Sequence, residues 1–377
     1  MRFVMFYHSL VSDWNHGNAH FLRGIVTALK ARGHDVRVYE PKNGWSMSNL
    51  MADAGTWALE GFHLAYPQLT SERFRRSRLD LDAILDGADV VVVHEWNDHE
   101  IVERIGRHRA DGGRYVLLFH DTHHRSASDT AAIDAFDLEH YDGVLAFGEV
   151  IRSRYLERGW ARRAWTWHEA ADTRMFHPKD AQERNGDLVW IGNWADEERA
   201  AELREYLIQP VAELRLRAAV FGVRYPAAAR QVLASAAIEY GGWLPNYHVP
   251  HIFGSFDVTV HIPRRPYVEA LPGIPTIRVF EALACGIPLV SAWWNDAEGL
   301  FSPGEDFLMV RSGQEMTRAL RRLLHDRALA GALRAKGLQT IAARHTCEHR
   351  VSELLTIVES VRQPPLNVEA PTKVVTA

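Results

Sequence analysis

The chain has 377 residues, of which 47% are hydrophobic and 24% are charged, and its formal net charge is −5. This length suits two domains better than one, and the composition is typical of a globular protein. The negative charge argues against nucleic acid or anionic lipid as a partner, and no apolar run approaches the ~20 residues of a membrane-spanning helix.

The first segment of the chain is apolar but makes a poor export signal. Met1–Val11 contains an arginine and a histidine, and Asp13 follows closely. The chain has two cysteines, and Cys285 lies within an apolar helical pattern, which favours a buried structural thiol over a disulfide or a nucleophile. These features predict a cytoplasmic protein.

The N-terminal half alternates short apolar runs with amphipathic segments. The run of four valines within Ala88–His94 indicates a strand that is buried on both faces. The strands predicted here are Arg2–Tyr7, Val36–Tyr39, Ala88–His94, Tyr115–Phe119 and Gly143–Phe147, with helices at Asn18–Arg32, His99–His108 and Glu149–Glu157. This alternation predicts a parallel α/β sheet with right-handed connections.

A turn-rich stretch at about 172–187 interrupts the alternation, which then restarts. The later predicted strands are Leu188–Ile191, Ala218–Phe221, Ile238–Tyr240, Val258–Ile262, Leu289–Ser291 and Phe307–Val310, and the last helices are Glu315–Leu324, Ala328–Arg344 and Glu348–Val361. We predict two doubly wound, Rossmann-like lobes over residues 1–172 and 186–345. A helix over 346–362 and a flexible tail over 363–377 would follow.

Two segments of the N-terminal half follow predicted strands and are candidates for ligand contact, because ligands of open parallel sheets bind beyond the carboxyl ends of the strands. In Trp14–His20, Gly17 permits close backbone approach and Asn18 can cap the next helix. A plain capped turn is the alternative. In His120–Arg125 we favour a solvated loop with one functional histidine over a structural metal site.

Glycine follows three predicted strands of the second half, at Gly192, Gly222 and Gly241. Turns need glycine in any case, but three in succession favour backbone that lies close to one ligand. The segment Gly273–Pro288 is more informative. Thr276 can cap a helix whose first N–H groups would face a diphosphate.

Glu281 lies one to two turns further along this otherwise apolar helix. A buried carboxylate is costly unless it accepts hydrogen bonds, and ribose hydroxyls could supply them. An internal partner, such as a nearby arginine, is the alternative.

The segment Glu281–Pro288, followed by Leu289–Ser291, resembles the E-A-x-A-x-G-x-P-V-V signature of group-1 glycosyltransferases. The first βαβ unit, with its histidine-glycine turn and the ending Arg32–Val36, is similar to the opening of that family. Glu169–Pro178 resembles the family's connection between lobes, G-V-D-x-x-x-F-x-P.

The resemblance implies a GT-B fold, with two lobes separated by a deep cleft, the nucleotide-sugar on the second lobe, and a final helix that crosses back to the first. It further implies that Glu281 holds the ribose, that the helix start at Thr276 holds the diphosphate, and that His120 approaches the donor sugar. With the glycine turns, the candidate donor-binding residues are Gly17, Asn18, Gly192, Asn193, Arg224, Trp243, Leu244, Thr276, Ile277, Arg278 and Glu281.

Two departures from the family pattern affect the chemistry. Gly273 stands where related retaining enzymes carry a second glutamate, and Gly192–Asp196 stands where they often place an arginine and a lysine. The charge of the leaving diphosphate must then be met elsewhere, and the candidates are Arg224, Arg264, Arg265 and Arg278. Both departures resemble the divergent spore-maturation-protein-like branch of the group.

The predicted reaction is sugar transfer from a nucleotide-diphosphate-sugar, without a metal or a cofactor, to an unidentified glycan, lipid, protein or small-molecule acceptor. A helix N-terminus and arginines can stabilise the leaving diphosphate. A retaining enzyme would use His120 to orient the sugar, whereas an inverting one needs a base such as His16 or Asp121. The family analogy favours retention.

Three other assignments deserve comparison. A non-catalytic nucleotide-sugar binding module and a sugar-nucleotide epimerase of the same fold remain alternatives. A dinucleotide oxidoreductase is disfavoured because no G-x-G-x-x-G follows the first strand of either lobe. The acidic triplet Asp80–Asp82 favours a solvated helical face over a metal site.

Overall fold

The computed structural model describes residues 1–179 and 183–363, which form two α/β lobes, each built on one parallel sheet. The strands are β1 (Arg2–Phe6), β2 (Asp35–Pro41), β3 (Glu72–Phe74), β4 (Val90–His94), β5 (Val116–Asp121), β6 (Gly143–Ala146), β7 (Ala164–Thr166), β8 (Gly186–Ile191), β9 (Ala218–Phe221), β10 (Ile238–Gly242), β11 (Phe256–His261), β12 (Leu289–Ala292) and β13 (Leu308–Val310).

The α-helices lie between and after these strands. They are α1 (Ala19–Ala31), α2 (Trp45–Ala54), α3 (Trp57–Ala65), α4 (Leu81–Leu85), α5 (His99–Ala110), α6 (Arg125–Ser128), α7 (Thr130–Asp134), α8 (Glu149–Glu157), α9 (Ala200–Leu203), α10 (Gln209–Leu214), α11 (Ala227–Ser235), α12 (Val249–Gly254), α13 (Arg265–Ala270), α14 (Ile277–Cys285), α15 (Gly313–His325), α16 (Arg327–Arg344) and α17 (Cys347–Arg362).

The first sheet has the strand order β3-β2-β1-β4-β5-β6-β7, and all neighbouring strands are parallel. The valine run of β4 shows why both faces of this sheet are covered. Val90 and Val92 pack in the core that contains α1 and α17, whereas Val91 and Val93 pack in the core that contains α5 and α8. The predicted doubly buried strand is confirmed.

The second sheet has the strand order β10-β9-β8-β11-β12-β13, again with parallel neighbours. In both sheets the lowest-numbered strand lies inside the sheet and the chain runs outward from it in both directions. The point where the order reverses is where a doubly wound sheet leaves a crevice at its carboxyl edge. The predicted pair of Rossmann-like lobes is confirmed.

The chain passes between the lobes twice, and the two passages are paired. The N–H of Ala171 donates to the carbonyl of His345 at 2.9 Å, and the N–H of Cys347 donates to the carbonyl of Ala171 at 2.9 Å. Helix α17 then packs on α1 of the first lobe, where Arg32 reaches Glu348 at 3.1 Å. The predicted tail lies, apart from Gln363, outside the described residues.

Several smaller predictions concern single side chains. Asp80 caps α4, because its carboxylate accepts from the N–H of Ala83 at 3.1 Å. Among the described residues, no group of three or more His, Cys, Asp or Glu side chains is placed to hold a metal ion. Cys285 and Cys347 are both buried free thiols. No helix within the described ranges is long and apolar enough to cross a membrane.

Candidate active site

A cavity of about 600 Å³ lies between the two lobes. Its wall includes residues that directly follow strands of both sheets: Thr122 after β5, Gly192 after β8 and Gly222 after β9. The cavity therefore occupies the carboxyl edges of both sheets, where parallel sheets bind ligands. The predicted site residues that line it are His16, Gly17, Asn18, Gly192, Asn193, Arg224, Trp243, Leu244, Thr276, Ile277 and Arg278.

Polar contacts across this gap hold the lobes together. The Asn193 side-chain amide donates to the side-chain oxygen of Asn15 at 2.6 Å. Asp13 of the first lobe accepts from the Trp243 indole at 3.0 Å and from the N–H of Asn246 at 2.9 Å. The cavity is thus shared by two lobes that already touch.

The first turn of α14 borders the cavity and faces the glycine turn of the first lobe. A Cβ added to Gly17 would lie 3.3 Å from Cγ2 of Ile277 and 3.7 Å from Nη2 of Arg278. The first N–H groups of a helix have no acceptor within the helix, so this turn offers donors to an anion. The start of α14 therefore borders the cavity, although Ile277 is largely buried.

Neither predicted helix cap is made. Asn18 and Thr276 both occupy the N-cap positions of their helices, but neither side chain accepts a capping hydrogen bond. The Thr276 hydroxyl instead lies 3.0 Å from Nε2 of His261. Both atoms of the Asn18 amide lack a hydrogen-bond partner. The capping predictions were wrong, and the amide of Asn18 remains available to a ligand.

The glycines that follow β8 and β9 lie close to each other at the cavity. A Cβ on Gly222 would lie 1.9 Å from the carbonyl oxygen of Gly192, and Gly222 has a φ of +154°. Gly241 does not line the cavity; its Cβ would meet the Phe221 ring at 2.2 Å. Two of the three glycines thus border the cavity, and the third permits packing against an aromatic ring.

A buried arginine that the sequence analysis did not identify lines the second-lobe wall. Arg199 donates to the carbonyls of Ile262 at 3.0 Å and Asn193 at 2.6 Å, and its guanidinium carbon lies 5.0 Å from the Trp190 ring centre. Burial, and then the charge of Arg264, lowers the pKa of Arg199 to about 9, so it is still a cation at neutral pH. Arg199 forms no ion pair with a carboxylate among the described side chains, and a buried cation in that position favours an anionic ligand.

The other predicted cations differ in position. Arg264 and Arg278 line the cavity, with Arg264 donating to Glu198 at 3.2 Å and Arg278 to Glu281. Arg224 also lines it, at a φ of +60°. Arg265 pairs instead with Glu202 at 2.8 Å and does not line the cavity. With Arg199, four arginines and one glutamate, Glu198, therefore line the second-lobe wall.

Glu281 lies behind this wall and is fully buried. It accepts from Nδ1 of His20 at 3.0 Å and from the Arg278 guanidinium. Since Nε2 of His20 accepts from the N–H of Asp172 at 2.8 Å, the ring proton is on Nδ1. Glu281 thus has the internal partners that the sequence analysis held open, and it joins α14 to α1 and to the interlobe connection.

His120 and Asp121 also lie behind the cavity wall. His120 is fully buried, neither ring nitrogen has a hydrogen-bond partner, and burial lowers its pKa to about 3. Asp121 accepts from the Tyr155 hydroxyl at 2.8 Å, and burial together with the Glu95 charge raises its pKa well above the usual value. Of the three predicted catalytic residues, the structure brings only His16 to the cavity.

The histidines that do line the cavity are neutral at pH 7. Burial lowers the pKa of His8 to about 4 and holds those of His16 and His123 well below the usual value, with nearby cationic groups adding to the effect. Burial also lowers the pKa of His124, against the opposing charge of Glu198. These rings can donate or accept hydrogen bonds without carrying charge.

Glu169 is a second residue of the wall that the sequence analysis did not assign to the site. Only 6% of it is exposed, and its carboxyl has no hydrogen-bond partner within the described part of the chain. Burial, and then the Glu281 charge, raises the pKa of Glu169 to about 8 against the opposing charge of Arg278. The group therefore binds a proton at neutral pH in the ligand-free protein.

This proton links the stability of the protein to pH. Between the ordinary carboxyl pKa and about 8, the folded state keeps the Glu169 proton that the unfolded state has released, so the free energy of unfolding falls as pH rises. We expect the free energy of unfolding of Glu169→Gln, taken relative to that of the wild type, to rise by roughly 2–4 kcal/mol from pH 5 to pH 8. Urea titrations at both pH values, with Glu157→Gln as the exposed control, measure this difference. Parallel pH profiles for wild type and Glu169→Gln would contradict the assignment.

Residues 199–356 match the profile of a family described as "Glycosyl transferase-like". No curated protein sequence is significantly similar to the chain. The profile covers much of the second lobe and most of α17, and includes Arg199, Arg264 and the whole of α14.

The fold is shared with several solved structures. A sucrose-phosphate synthase from Thermosynechococcus elongatus is 14% identical, with 96% of this chain and 99% of that one aligned at a TM-score of 0.67. HepE of Anabaena, solved with UDP and glucose, is 14% identical, with 96% of this chain and 100% of that one aligned at a TM-score of 0.67. An α-glucosyltransferase solved with UDP is 11% identical, with 95% of this chain and 100% of that one aligned at a TM-score of 0.68. The chain therefore has the GT-B fold, and the family profile supports the predicted glycosyltransferase.

Proposed function

We propose that this protein moves a sugar from a nucleotide-diphosphate-sugar to an acceptor hydroxyl in the cavity between its lobes. The observation that carries the proposal is the composition of the second-lobe wall, where the first turn of α14 lies beside Arg199, Arg264 and Arg278. Glycosyl transfer builds negative charge on the departing diphosphate. A helix N-terminus and buried cations stabilise that charge without reorganising during the reaction.

The remaining donor contacts follow from the same wall. Gly192 and Gly222 let the backbone approach the nucleotide, and Trp243 with Leu244 offers an apolar surface for the base. Glu281 is fully buried and paired with Arg278, so a contact between Glu281 and the ribose requires the first turn of α14 to rearrange. UDP in the structures of HepE and the α-glucosyltransferase supports a nucleoside diphosphate as the product to test first.

The finer features of the proposal are metal independence, retention and membership of the spore-maturation-protein-like branch. The cations already at the leaving-group end support catalysis without a metal, because they meet the charge a metal would meet. Gly273 and the segment Gly192–Asp196 support the branch assignment. Retention rests on the family resemblance, with His16 as the base of an inverting alternative.

Thermal-shift and turnover measurements on the purified chain test the proposal together. A nucleotide at 100 times its dissociation constant adds ~2.7 kcal/mol to the stability, so one of UDP, GDP, ADP and dTDP should raise the melting temperature. The matching nucleotide-sugar should then be hydrolysed slowly, equally well with and without EDTA. NMR of the first-formed anomer reports retention or inversion.

Other results would point elsewhere. Nucleotide binding without turnover of any nucleotide-sugar, with or without saccharide acceptors, would indicate a binding module. Interconversion of one nucleotide-sugar into another would indicate an epimerase. No stabilisation by any nucleotide would overturn the proposal.

A further inference from the structure

The two walls of the cavity differ in charge. The second-lobe wall carries Arg199, Arg224, Arg264 and Arg278. Among the described residues, the first-lobe wall has no lysine or arginine. It carries two carboxyl groups, Asp13, which is paired with the buried Arg23 at 3.0 Å, and Glu169, whose pKa burial raises to about 8. Arg125 of the first lobe lies over the Trp96 ring at 4.4 Å but does not line the cavity and is paired with Glu95 at 2.6 Å. A ligand on the first-lobe wall therefore meets no unpaired cation among the described residues that could recognise a phosphate or carboxylate.

Indole rings form the outer part of the first-lobe wall. Trp45 and Trp96 line the cavity and are 50% and 40% exposed. The Trp57 ring, also exposed, lies 5.4 Å from that of Trp243, which lines the cavity from the other lobe. Of the three most exposed tryptophans of the described chain, two line this cavity and the third contacts a ring that does. Large exposed aromatic surfaces grouped in this way mark binding sites, since such rings are otherwise buried.

Unpaired polar atoms lie deeper along the same wall. Nε2 of His16 and Nδ1 of His123 are buried and have no hydrogen-bond partner, and the same holds for both amide atoms of Asn18. His16 is 92% buried (8% exposed) and lines the cavity. Burial of such atoms without partners is costly, so a ligand that supplies donors and acceptors relieves the cost. Because the imidazoles are neutral, they suit hydroxyl groups better than ionised groups.

We propose that the acceptor is an uncharged saccharide, bound with the C–H faces of its rings against Trp45 and Trp96 and its hydroxyls on His16, Asn18 and His123. This inference rests on the proposed function and names its acceptor class. A sugar ring has the two surfaces that this wall offers, an apolar face for an indole and a rim of hydroxyls for uncharged nitrogens. An acyl chain would leave the buried nitrogens unpaired, and an anionic acceptor would find its cations only on the donor side.

The transfer step balances with this arrangement. The acceptor hydroxyl forms a new bond to the anomeric carbon of the donor sugar, the bond from that carbon to the diphosphate breaks, and the diphosphate leaves with the bonding electron pair. The acceptor proton passes to a basic atom of the cavity or of the departing diphosphate. His16, a neutral imidazole that lines the cavity, can relay it.

A glycan microarray tests the inference with the full chain in the presence of UDP, using neutral oligosaccharides beside sialylated, sulfated and phosphorylated ones. We expect binding to be confined to uncharged saccharides. Trp45→Ala and Trp96→Ala should each weaken it ~10-fold, because each removes a stacking surface. Leu64→Ala, which removes an 84% exposed apolar side chain outside the cavity, should bind as the wild type does.

The variants are checked for folding by circular dichroism and for the thermal shift produced by UDP. Preferred binding of anionic glycans, no binding of any neutral saccharide, or wild-type affinity in both tryptophan variants would overturn the inference. The UDP shift separates this result from the proposed function. If UDP and the other nucleotides fail to stabilise the chain while neutral saccharides still bind through Trp45 and Trp96, the transferase proposal fails and the saccharide site stands.

Discussion

Replacing Arg199 with alanine is expected to lower turnover of the nucleotide-sugar about 100- to 1000-fold, the usual cost of removing one preorganised group that stabilises transition-state charge. Arg199 is buried at the cavity wall, where its charge is little screened by water, and it has no carboxylate partner in the described chain. Its hydrogen bonds go to the carbonyls of Asn193 and Ile262, which fix the guanidinium in place. Steady-state kinetics with the donor identified by thermal shift measure the effect.

The matched control is Arg265→Ala, which removes an arginine of the same lobe that pairs with Glu202 outside the cavity. Turnover in this variant should stay within about twofold of the wild type, because exposed ion pairs contribute little. Arg199→Lys should keep the charge but lose the planar, multiply donating guanidinium, so its turnover should lie between those of Arg199→Ala and Arg265→Ala. Equal kinetics for Arg199→Ala and Arg265→Ala would show that the diphosphate lies elsewhere.

Replacing Glu281 with alanine is expected to lower the free energy of unfolding by ~3–5 kcal/mol, as for other buried ion pairs that lose one partner. The change leaves the Arg278 guanidinium without its carboxylate and Nδ1–H of the buried His20 ring without an acceptor. The loss of the buried side chain also leaves a void beside α14. Urea denaturation at pH 7 measures the loss.

Glu305→Ala serves as the comparison, since Glu305 pairs with Lys336 at 3.2 Å on the surface and should cost less than about 1 kcal/mol. Glu281→Gln should recover part of the stability, because its amide oxygen can still accept from His20. A loss of stability in Glu281→Ala no larger than that of Glu305→Ala would mean that the buried network is not formed in solution.

The sequence predicted the inner strands of the sheets well because they are buried on both faces, whereas the short edge strands β3 and β7 are partly exposed and escaped prediction. A segment such as β4 is almost continuously apolar, and this pattern can be recognised without knowing which strands lie beside it. Helices α2 and α3 escaped prediction because they bury few side chains. In α2 the buried residues are Ser46 and Leu50, which leave no apolar stripe to detect.

The site was predictable where chain geometry alone fixes it. Gly17, Gly192 and the first turn of α14 follow strands or begin helices, and these positions converge at one edge of each sheet. Arg199 and Glu169 could not be found in this way. Asp-Glu-Glu-Arg, which ends at Arg199, is typical of an exposed helix start. Contacts with the Trp190 ring and with the carbonyls of Asn193 and Ile262 bury the arginine, and the local pattern does not reveal them.

His120 is the opposite case, a residue that was predicted for the site but does not line the cavity. The resemblance predicted it from its place at the end of a strand, but the side chain alternation of β5 points it toward the core of the first lobe, where it packs 4.8 Å from the Trp167 ring. Polar residues at a strand end signal a site only when their side of the sheet is open, and Trp167, which comes from the interlobe connection, closes this side.

The paired passages at Ala171 and Thr346 restrict how the two lobes can move. Two adjacent, mutually bonded segments can bend together but cannot lengthen independently, so the lobes swing about an axis through that pair rather than slide. His20, which holds Glu281, accepts from the N–H of Asp172 next to this axis. A rotation of the lobes about the axis therefore displaces the Glu281 network only slightly. The contacts of Asp13 with Trp243 and of Asn15 with Asn193 join the same two lobes across the cavity, so a rotation that separates the lobes there has to break them.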